Sequence, residues 1–391
     1  MNKFLVAFDK CKDSLSASEI CDLAERVLIK RFPETRVMKV PLTDGGEGFV
    51  QILSAEVEAS IESVKVMNSI GKETTAKFGL CKIENLHSSI IKELHLPTSG
   101  NLAILEMAEC VGLADLPNEL RNPWETSTFG VGQLLRKTAD LGVDAILLGI
   151  GGSSTNDIGL GALVALGATV KNKNNEKVPF PYPLNWSDVS EIDFDDLVEL
   201  PPITIACDVE NKLFGESGAT AVYGPQKGLA VEDIGKFEDE IKRILTLVNS
   251  KISKVFEKSN AIGSGAAGGM GYGLSLFYNV SMIKGFDLIS SWFSIDELIK
   301  NADFVITGEG RFDKTSLNGK GPFEVIRQSS QSDIPSLVLA GSVDNEVKNH
   351  VKGKFNNCDL LAFGRSDWTL EKNLLLARDQ FTSSLQNYPF P

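Results

Sequence analysis

Seven apolar segments of this chain each stop in a short loop of glycine, hydroxyl and acidic residues. The fullest example is segment 145–148, which runs into the loop 149–157. The other six segments are 4–7, 37–40, 203–206, 304–306, 337–339 and 360–363. Short apolar runs of this kind are typical of strands buried in a parallel sheet. Ligands of open α/β sheets bind outside the carboxyl ends of the strands, so the pattern predicts an α/β protein with a polar site there.

The order of these segments indicates two α/β domains, one of them discontinuous in sequence. A strand, a helix over 16–31 and a second strand open the chain, and strand, loop and helix alternate again from residue 302 onward. Residues 61–96 carry shorter alternating runs, which are typical of antiparallel strands. We predict a Rossmann-like parallel-sheet domain (1–60, 122–168 and 295–391), an inserted mixed α/β domain (61–121 and 169–294), and an active site in the cleft between them.

Composition and charge exclude several classes of function. A formal net charge of −13 argues against a nucleic-acid partner or an anionic membrane surface, because both attract clustered lysine and arginine. The six cysteines form no C-x-x-C pair, which favours reduced thiols. No apolar run reaches the length of a membrane span, and the first residues turn polar too soon for a signal peptide. We expect a cytoplasmic monomer or homodimer.

The loop 149–157 resembles a dinucleotide-binding fingerprint but departs from it. Ser154 stands where the third glycine should be, and residues 173–175 supply no acid for a ribose. No Walker A sequence occurs either. Backbone amides and hydroxyls at a helix start still suit a phosphate; the alternative is a tight turn in which Asp157 caps the helix. The candidate phosphate-binding residues are Gly149, Gly151, Gly152, Ser153, Ser154 and Thr155.

Two further loops place carboxylates directly after apolar strands. Asp44 and Glu47 lie in a glycine-rich loop that suits a magnesium site or a hydroxyl-orienting role, although an ordinary turn would carry the same residues. In the loop 308–313, Glu309 and Asp313 flank Arg311. Phosphoryl transfer needs this mixture of acids and a cation, and a structural ion pair is the alternative.

The first loop carries lysines beside an acid and a hydroxyl. Lys10 and Lys12, next to Asp9 and Ser14, could hold an anionic substrate, or they could simply be solvated. The three histidines lie in none of these loops, and we assign them no catalytic role.

Taken together, eight ordered motifs resemble one family, the type-1 glycerate kinases of bacteria. The motifs are 7–17, 41–48, 105–113, 122–130, 151–157, 206–211, 223–228 and 302–313. The resemblance covers nearly the whole chain. It implies ATP-dependent phosphorylation of D-glycerate, usually at the 2-hydroxyl, with Mg²⁺, on two α/β domains that face a cleft.

The resemblance also implies roles for the residues at matching positions. Lys12 and Arg311 would hold the glycerate carboxylate or the transferring phosphate, and Asp44 or Asp208 would act as general base. Asp157, Glu309 and Asp313 would hold magnesium, and the loop 149–155 would bind the ATP phosphates. The residues expected at the substrate are Asp9, Lys10, Lys12, Ser14 and Arg311.

The chain departs from the family pattern in four places. It has Lys10-Cys-Lys-Asp13 where the family has Ser-Phe-Lys-Gly. It also has Ile158 and Glu324 where the family has glycine, and Thr315 where the family has glutamine. The sequence therefore determines the exact hydroxy-acid substrate less closely than the kinase chemistry.

Two other functions are alternatives. The near fingerprint at 149–154 motivates an NAD(P)-dependent hydroxy-acid dehydrogenase, and the altered loops motivate a non-catalytic glycerate-binding sensor.

Overall fold

The computed structural model describes residues 3–390, which divide into two compact units. One unit contains the described residues up to Asp44 together with those from Gly285 onward, and the other is Gly45–Lys284. Each unit is built on one large sheet. Within the described part of the chain, no helix is long and apolar enough to cross a membrane.

The secondary structure alternates between strands and helices along most of the chain. In chain order the strands are β1 (Lys3–Phe8), β2 (Arg36–Pro41), β3 (Ser60–Met67), β4 (Glu73–Lys82), β5 (Asn101–Glu106), β6 (Ala145–Gly149), β7 (Thr169–Asn172), β8 (Val189–Asp193), β9 (Ile203–Ala206), β10 (Val280–Ile283), β11 (Phe304–Gly308), β12 (Arg311–Phe312), β13 (Ser336–Ala340), β14 (Ser342–Val343) and β15 (Cys358–Ala362). The α-helices are α1 (Ala17–Arg31), α2 (Phe49–Glu56), α3 (Ser88–Glu93), α4 (Ala108–Val111), α5 (Phe129–Asp140), α6 (Leu160–Ala165), α7 (Ala219–Tyr223), α8 (Ile234–Asn249), α9 (Val255–Ser259), α10 (Met270–Ser275), α11 (Gly285–Phe293), α12 (Ile295–Lys300), α13 (Gly321–Gln331), α14 (Asn345–Lys354), α15 (Leu370–Leu375) and α16 (Ala377–Asn387).

The first unit is a doubly wound parallel sheet with the strand order β15-β13-β11-β1-β2. Every residue of β11 and β13 is buried, as expected of strands covered on both faces. Helix α1 begins with a capping box, in which Ser16 Oγ accepts from the amide of Glu19 and the Glu19 carboxylate accepts from that of Ser16. Its apolar face, which includes Ile20 and Leu28, packs into the core on one side of the sheet.

The second unit contains a mixed sheet with the order β10-β9-β6-β5-β4-β3. β3, β4 and β5 pair in antiparallel fashion, whereas β5, β6, β9 and β10 run parallel. The antiparallel layer predicted from 61–96 is thereby confirmed. The predicted fold class is confirmed as well: a parallel sheet discontinuous in sequence, with a mixed sheet formed by the middle segment.

The division of the chain differs from the predicted domain boundaries. Residues 45–60 and 122–168 lie in the second unit, because β6 pairs with β5 and β9 and helix α2 packs on β4 and β5. Residues 285–294 lie in the first unit, where α11 packs against α13. Apolar periodicity locates a strand or helix, but it does not identify the sheet in which a strand pairs.

Close packing of α5 on α6 gives a test of the second unit. A Cβ on Gly132 would stand 2.3 Å from the carbonyl oxygen of Ala162. Gly132→Ala should therefore lower the free energy of unfolding by about 1–3 kcal/mol, because the added methyl overpacks the helix contact. The measurement is urea unfolding followed by far-ultraviolet circular dichroism.

Gly235→Ala provides the matched control within α8. No heavy atom lies within 4 Å of a Cβ at that position, so the substitution should raise stability by up to about 1 kcal/mol. Equal effects of the two substitutions would contradict the close approach of α5 and α6.

Candidate active site

The strand order of the first unit reverses between β1 and β11. From β1 the chain moves outward to β2, and from β11 it moves outward to β13 and β15. Such a reversal opens a crevice at the carboxyl ends of the two central strands, where ligands of open α/β sheets bind. The loops that begin at Asp9 and Glu309 follow these two strands, and the amide of Asp9 donates to the carbonyl of Gly308 at 2.9 Å. These loops define the candidate site.

Asp9 is the most strongly perturbed acid at this edge of the sheet. One of its carboxylate oxygens, Oδ1, accepts from the backbone amide of Lys10 at 2.7 Å. Burial, together with the nearby carboxylates of Asp44 and Glu309, raises the pKa of Asp9 to about 8, against the hydrogen bond from the Lys10 amide. A carboxyl group that exchanges its proton near neutral pH is suited to acid–base chemistry.

Glu309 carries the clearest sign of a missing partner. The residue is 6% exposed, and its Oε2 lies 3.5 Å from Nζ of Lys320. Its other oxygen, Oε1, is buried without a hydrogen-bond partner. Burial raises the pKa of Glu309, and Lys320 opposes that shift. An orphaned carboxylate oxygen is a suitable ligand for a hard cation, although no cluster of three potential ligands is preformed among residues 3–390.

Arg311 lies at the surface between two acids. Its Nε is 3.2 Å from Asp313 and its Nη2 is 3.5 Å from Asp344, and its side chain is 67% exposed. Burial by itself would raise the pKa of Asp313, but hydrogen bonds from Thr315 and the neighbouring cations lower it overall. The ion pair considered from the sequence is therefore present, and the outer face of the guanidinium remains open to an anion.

The first loop forms a compact turn. The hydroxyl of Ser14 donates to the carbonyl of Cys11 at 3.0 Å, so the predicted substrate ligand Ser14 also has a structural role. Lys12 is exposed at the tip of the turn. Asp13, where the family has glycine, adopts φ 63°, and Ile158, another such position, adopts φ 51°. Glycine is favoured in this left-handed region, which explains the family pattern at both positions.

A cavity of about 580 Å³ extends along the same sheet edge. Lys12 and Arg311 line it on the side of β1 and β11, and the loops after β13 and β15 continue it. The predicted residues that the first unit brings to this edge are Asp9, Lys10, Lys12, Ser14, Asp44, Glu309, Arg311 and Asp313.

The second unit holds the remaining predicted residues, and Asp157 is a fully buried acid among them. Its Oδ2 accepts from the amide and hydroxyl of Thr128 at 2.8 and 2.9 Å and from the amide of Gly161 at 3.2 Å. Its Oδ1 accepts from the amide of Gly159 at 3.2 Å. Burial raises the pKa of Asp157, against these hydrogen bonds. Both oxygens accept hydrogen bonds at a helix start, which favours the capping role, and the magnesium role of Asp157 stays a prediction.

The loop 149–155 is also explained by internal packing. A Cβ on Gly149 would stand 2.5 Å from the carbonyl oxygen of Gly45, and one on Gly151 would stand 2.7 Å from the amide nitrogen of Gly46. The following helix, α6, begins only at Leu160. Its first amides already face Asp157, and the binding of ATP phosphates by the loop 149–155 stays a prediction. The hydroxyl of Ser154 donates to the carbonyl of Val111 at 2.8 Å.

Lys227 is a residue that the site prediction missed. It is 4% exposed, and its ammonium group donates to Ser153 Oγ at 3.0 Å and to the carbonyl of Thr155 at 2.6 Å. Burial lowers the pKa of Lys227 to about 7, and Asp157 opposes the shift. The motif 223–228 contained this lysine, but nothing in its local sequence indicates burial.

Asp208 and Asp44 occupy separate units. Asp208 follows β9 in the second unit, whereas Asp44 is the last residue of the first segment of the first unit. Of the two predicted bases, Asp44 is the one whose charge acts on Asp9.

The capping role of Asp157 can be tested by substitution. Asp157→Asn replaces one acceptor oxygen with a donor and leaves buried amides such as that of Gly161 without a partner, so it should lower the free energy of unfolding by about 1–3 kcal/mol. Asp296→Asn is the matched control, because its carboxylate meets Lys300 at 3.5 Å on the surface and such pairs contribute about 0–1 kcal/mol. Unfolding by urea measures both. If Asp157→Asn leaves the free energy of unfolding unchanged but weakens the dependence of activity on magnesium, the result would instead support a role of Asp157 in holding the metal.

The relatives of this chain include proteins named glycerate kinase. The Glycerate kinase family matches residues 4–380. A glycerate kinase from Halalkalibacterium halodurans is 35% identical over 351 residues, covering 88% of this chain and 86% of the relative. A glycerate 2-kinase from Escherichia coli K12 is 32% identical over 351 residues, again covering 88% and 86%.

A solved structure extends the likeness to the fold. The crystal structure of a protein provisionally named glycerate kinase 2, from Salmonella typhimurium LT2, matches with a TM-score of 0.74 at 30% identity. The match covers 99% of this chain and 97% of that chain. The resemblance drawn from the eight motifs is thereby confirmed. This chain belongs to the glycerate kinase family and is a phosphotransferase.

Proposed function

We propose that the protein transfers the γ-phosphoryl group of ATP to the 2-hydroxyl of D-glycerate, giving 2-phosphoglycerate and ADP. The observation that carries the proposal is the set of groups that follow β1 and β11 at the reversal of the sheet: the carboxyl of Asp9, whose pKa is raised to about 8, and the cations Lys12 and Arg311, which line the cavity at the same edge. The name of the E. coli relative supports the 2-hydroxyl as acceptor. Membership of a kinase family speaks against the dehydrogenase and sensor alternatives.

Lys12 and Arg311 supply the positive charge that the reaction needs. Both line the cavity at the sheet edge, and both side chains are exposed. The glycerate carboxylate and the transferring phosphoryl group are anions, and fixed cations stabilise the charge that spreads over the phosphoryl oxygens in the transition state. The planar guanidinium of Arg311 suits a bidentate contact with either anion.

Asp9 is the proposed proton acceptor. The 2-hydroxyl oxygen forms a bond to the γ-phosphorus while the bond to the β,γ-bridging oxygen breaks, and the hydroxyl proton passes to the carboxylate of Asp9. A pKa near the working pH makes a carboxylate an effective base. Asp44 then acts through Asp9, because its negative charge raises the pKa of that neighbour.

Glu309 and Asp313 are the residues proposed to hold Mg²⁺. The buried Oε1 of Glu309 lacks a partner, and the pKa of Asp313 is lowered so that its carboxylate stays ionised. When bound, the cation would neutralise charge on the ATP phosphates.

The direct test of this function is a reaction with magnesium and ATP. ADP formation that depends on D-glycerate, followed in a coupled assay, is the expected result. A phosphorus NMR spectrum of the product should contain the resonance of 2-phosphoglycerate and not that of the 3-isomer. The absence of ADP formation with either glycerate enantiomer would refute the proposal.

Substitutions distinguish Asp9 from Asp44 as the base. Asp9→Asn should lower kcat by about 10²–10⁴-fold, the usual contribution of general base catalysis. Asp44→Asn should retain most of kcat and move the acidic limb of the pH profile of kcat/KM to lower pH, because the pKa of Asp9 falls when its anionic neighbour is removed. If Asp44→Asn is the variant that loses turnover, the base is Asp44, the role that the family motif implies.

The shifted pKa of Asp9 also predicts a dependence of stability on pH. Its value rises from 3.8 to about 8 on folding, so the folded protein keeps a proton that the unfolded chain releases. The stability contributed by Asp9 is therefore complete below about pH 4 and is lost as the pH rises to about 8. Asp9→Asn should raise the free energy of unfolding at pH 8 by about 1 kcal/mol or more, and the gain should shrink toward pH 4.

This measurement is made by urea unfolding in the presence of EDTA. Asp140→Asn, at the exposed end of α5, is the control and should change stability little at either pH. A loss of stability in Asp9→Asn at pH 8 would show that the carboxyl is ionised there.

A further inference from the structure

We propose that the cavity along the carboxyl ends of β1, β11, β13 and β15 binds the nucleoside part of ATP, with the purine base against α15 and the phosphates toward Lys12 and Arg311. This inference rests on the proposed function, since it assigns the place of the phosphoryl donor in the same site. The lining residues come from the loops after all four strands and from α15 and α16.

The dimensions of the cavity exceed what glycerate needs. Its volume of about 580 Å³ lies within the range of roughly 300–1,000 Å³ that is usual for cofactor-sized ligands. Neighbouring strands are about 4.8 Å apart, so the four strands span about 14 Å from β1 to β15. A three-carbon acid would occupy only one end of that length, whereas an extended nucleotide would occupy all of it.

The floor of the cavity is bare backbone. Gly310, Gly341 and Gly364 follow β11, β13 and β15, and each loop lies directly on the next. A Cβ on Gly341 would stand 2.4 Å from the carbonyl oxygen of Gly310, and one on Gly364 would stand 2.4 Å from that of Gly341. The packing of the loops on one another therefore requires these glycines, and as a consequence no side chain from these three positions covers the cavity.

The wall above this floor is apolar at the β15 end. Leu370 and Leu374 of α15 line it together with Phe363 and Ala377. Leu370 is 75% exposed, which is unusual for a large apolar side chain beside a cavity. A purine base would cover this side chain and remove its apolar surface from water.

The side chains along the cavity indicate how a nucleotide would be oriented in it. Lys12 and Arg311 stand at the β1 and β11 end. At the opposite end, Arg365 is paired with Asp367 at 2.9 Å. Arg311 is likewise paired, with Asp313 and Asp344. The apolar surface of Leu370 and Leu374 lies at the β15 end and Lys12 is exposed at the β1 end, so the uncharged base is placed beside the leucines and the phosphates toward Lys12.

Gln380 supplies a polar contact at the apolar end. Its Nε2 donates to Asn373 Oδ1 at 3.2 Å, an oxygen that also accepts from the amide of Arg365 at 2.9 Å. This arrangement fixes the orientation of the Gln380 amide and leaves its Oε1 without a hydrogen-bond partner. The exocyclic amino group of adenine would satisfy that acceptor, whereas guanine carries a carbonyl at the same ring position and would not.

A cavity-filling variant tests the assignment. Leu374→Trp should weaken the binding of adenosine to the full-length protein by about tenfold or more, measured by titration calorimetry, and should raise the KM for ATP to a similar extent. The KM for glycerate should stay within about twofold. Leu375→Trp is the matched control, because Leu375 is the next residue of α15, is 80% exposed and does not line the cavity. It should leave all three quantities unchanged.

A second variant keeps the test decisive if the tryptophan disturbs folding. Gln380→Met removes the unpaired acceptor with little change of shape, and it should reduce the preference for ATP over GTP by about tenfold. Gln386→Met, at an exposed position of the same helix, should not.

The outcomes separate this inference from the proposed function. Adenosine binding and ATP KM that are unchanged in Leu374→Trp and Gln380→Met, in an enzyme that phosphorylates glycerate, would overturn the nucleoside site alone. Adenosine binding that is lost in Leu374→Trp, in a protein that makes no ADP with glycerate, would support the nucleoside site and overturn glycerate as the substrate.

Discussion

The parallel pairing of β1 with β11 is the constraint on which the first unit depends. It joins residues that are 300 positions apart, and the hydroxyl of Thr307 reinforces it by donating to the carbonyl of Ala7. The register places Phe8 opposite Gly308, so Asp9 and Glu309 emerge side by side. Without this pairing the sheet would be two separate pieces, and the acids of the candidate site would not meet.

Carboxylates that lie close together repel one another, and the folded protein relieves this repulsion by keeping Asp9 protonated. Asp9 keeps a proton to a pH of about 8 because burial and its anionic neighbours destabilise the charged form. The same destabilisation makes this group responsive to a cation or to a hydroxyl proton. In the second unit the buried carboxylate of Asp157 accepts from backbone amides, yet burial still raises its pKa.

Much of this arrangement could be predicted from the sequence. The features that could not be predicted depend on contacts between residues far apart in the chain. Apolar runs ending in glycine and acid loops identified seven of the parallel strands (β1, β2, β6, β9, β11, β13 and β15), since buried strands and their carboxyl ends have a local signature. The sheet to which segment 145–148 belongs was not identified, because the sequence of a single strand does not indicate which strands pair with it. For a related reason the sequence left two roles open for Asp157 and missed the burial of Lys227: their partners, such as Thr128 and Ser153, lie 29 and 74 residues away.

The discontinuity of the first unit has a consequence for synthesis on the ribosome. The second unit is one continuous segment, Gly45–Lys284, so all of its strands are available once that segment has emerged. β1 and β2 emerge earlier, yet β1 has no partner on its other side until β11 is made. A two-stranded pair is marginal in water, so the nascent amino-terminal strands must wait, exposed to solvent or to chaperones, while the later segment folds before them.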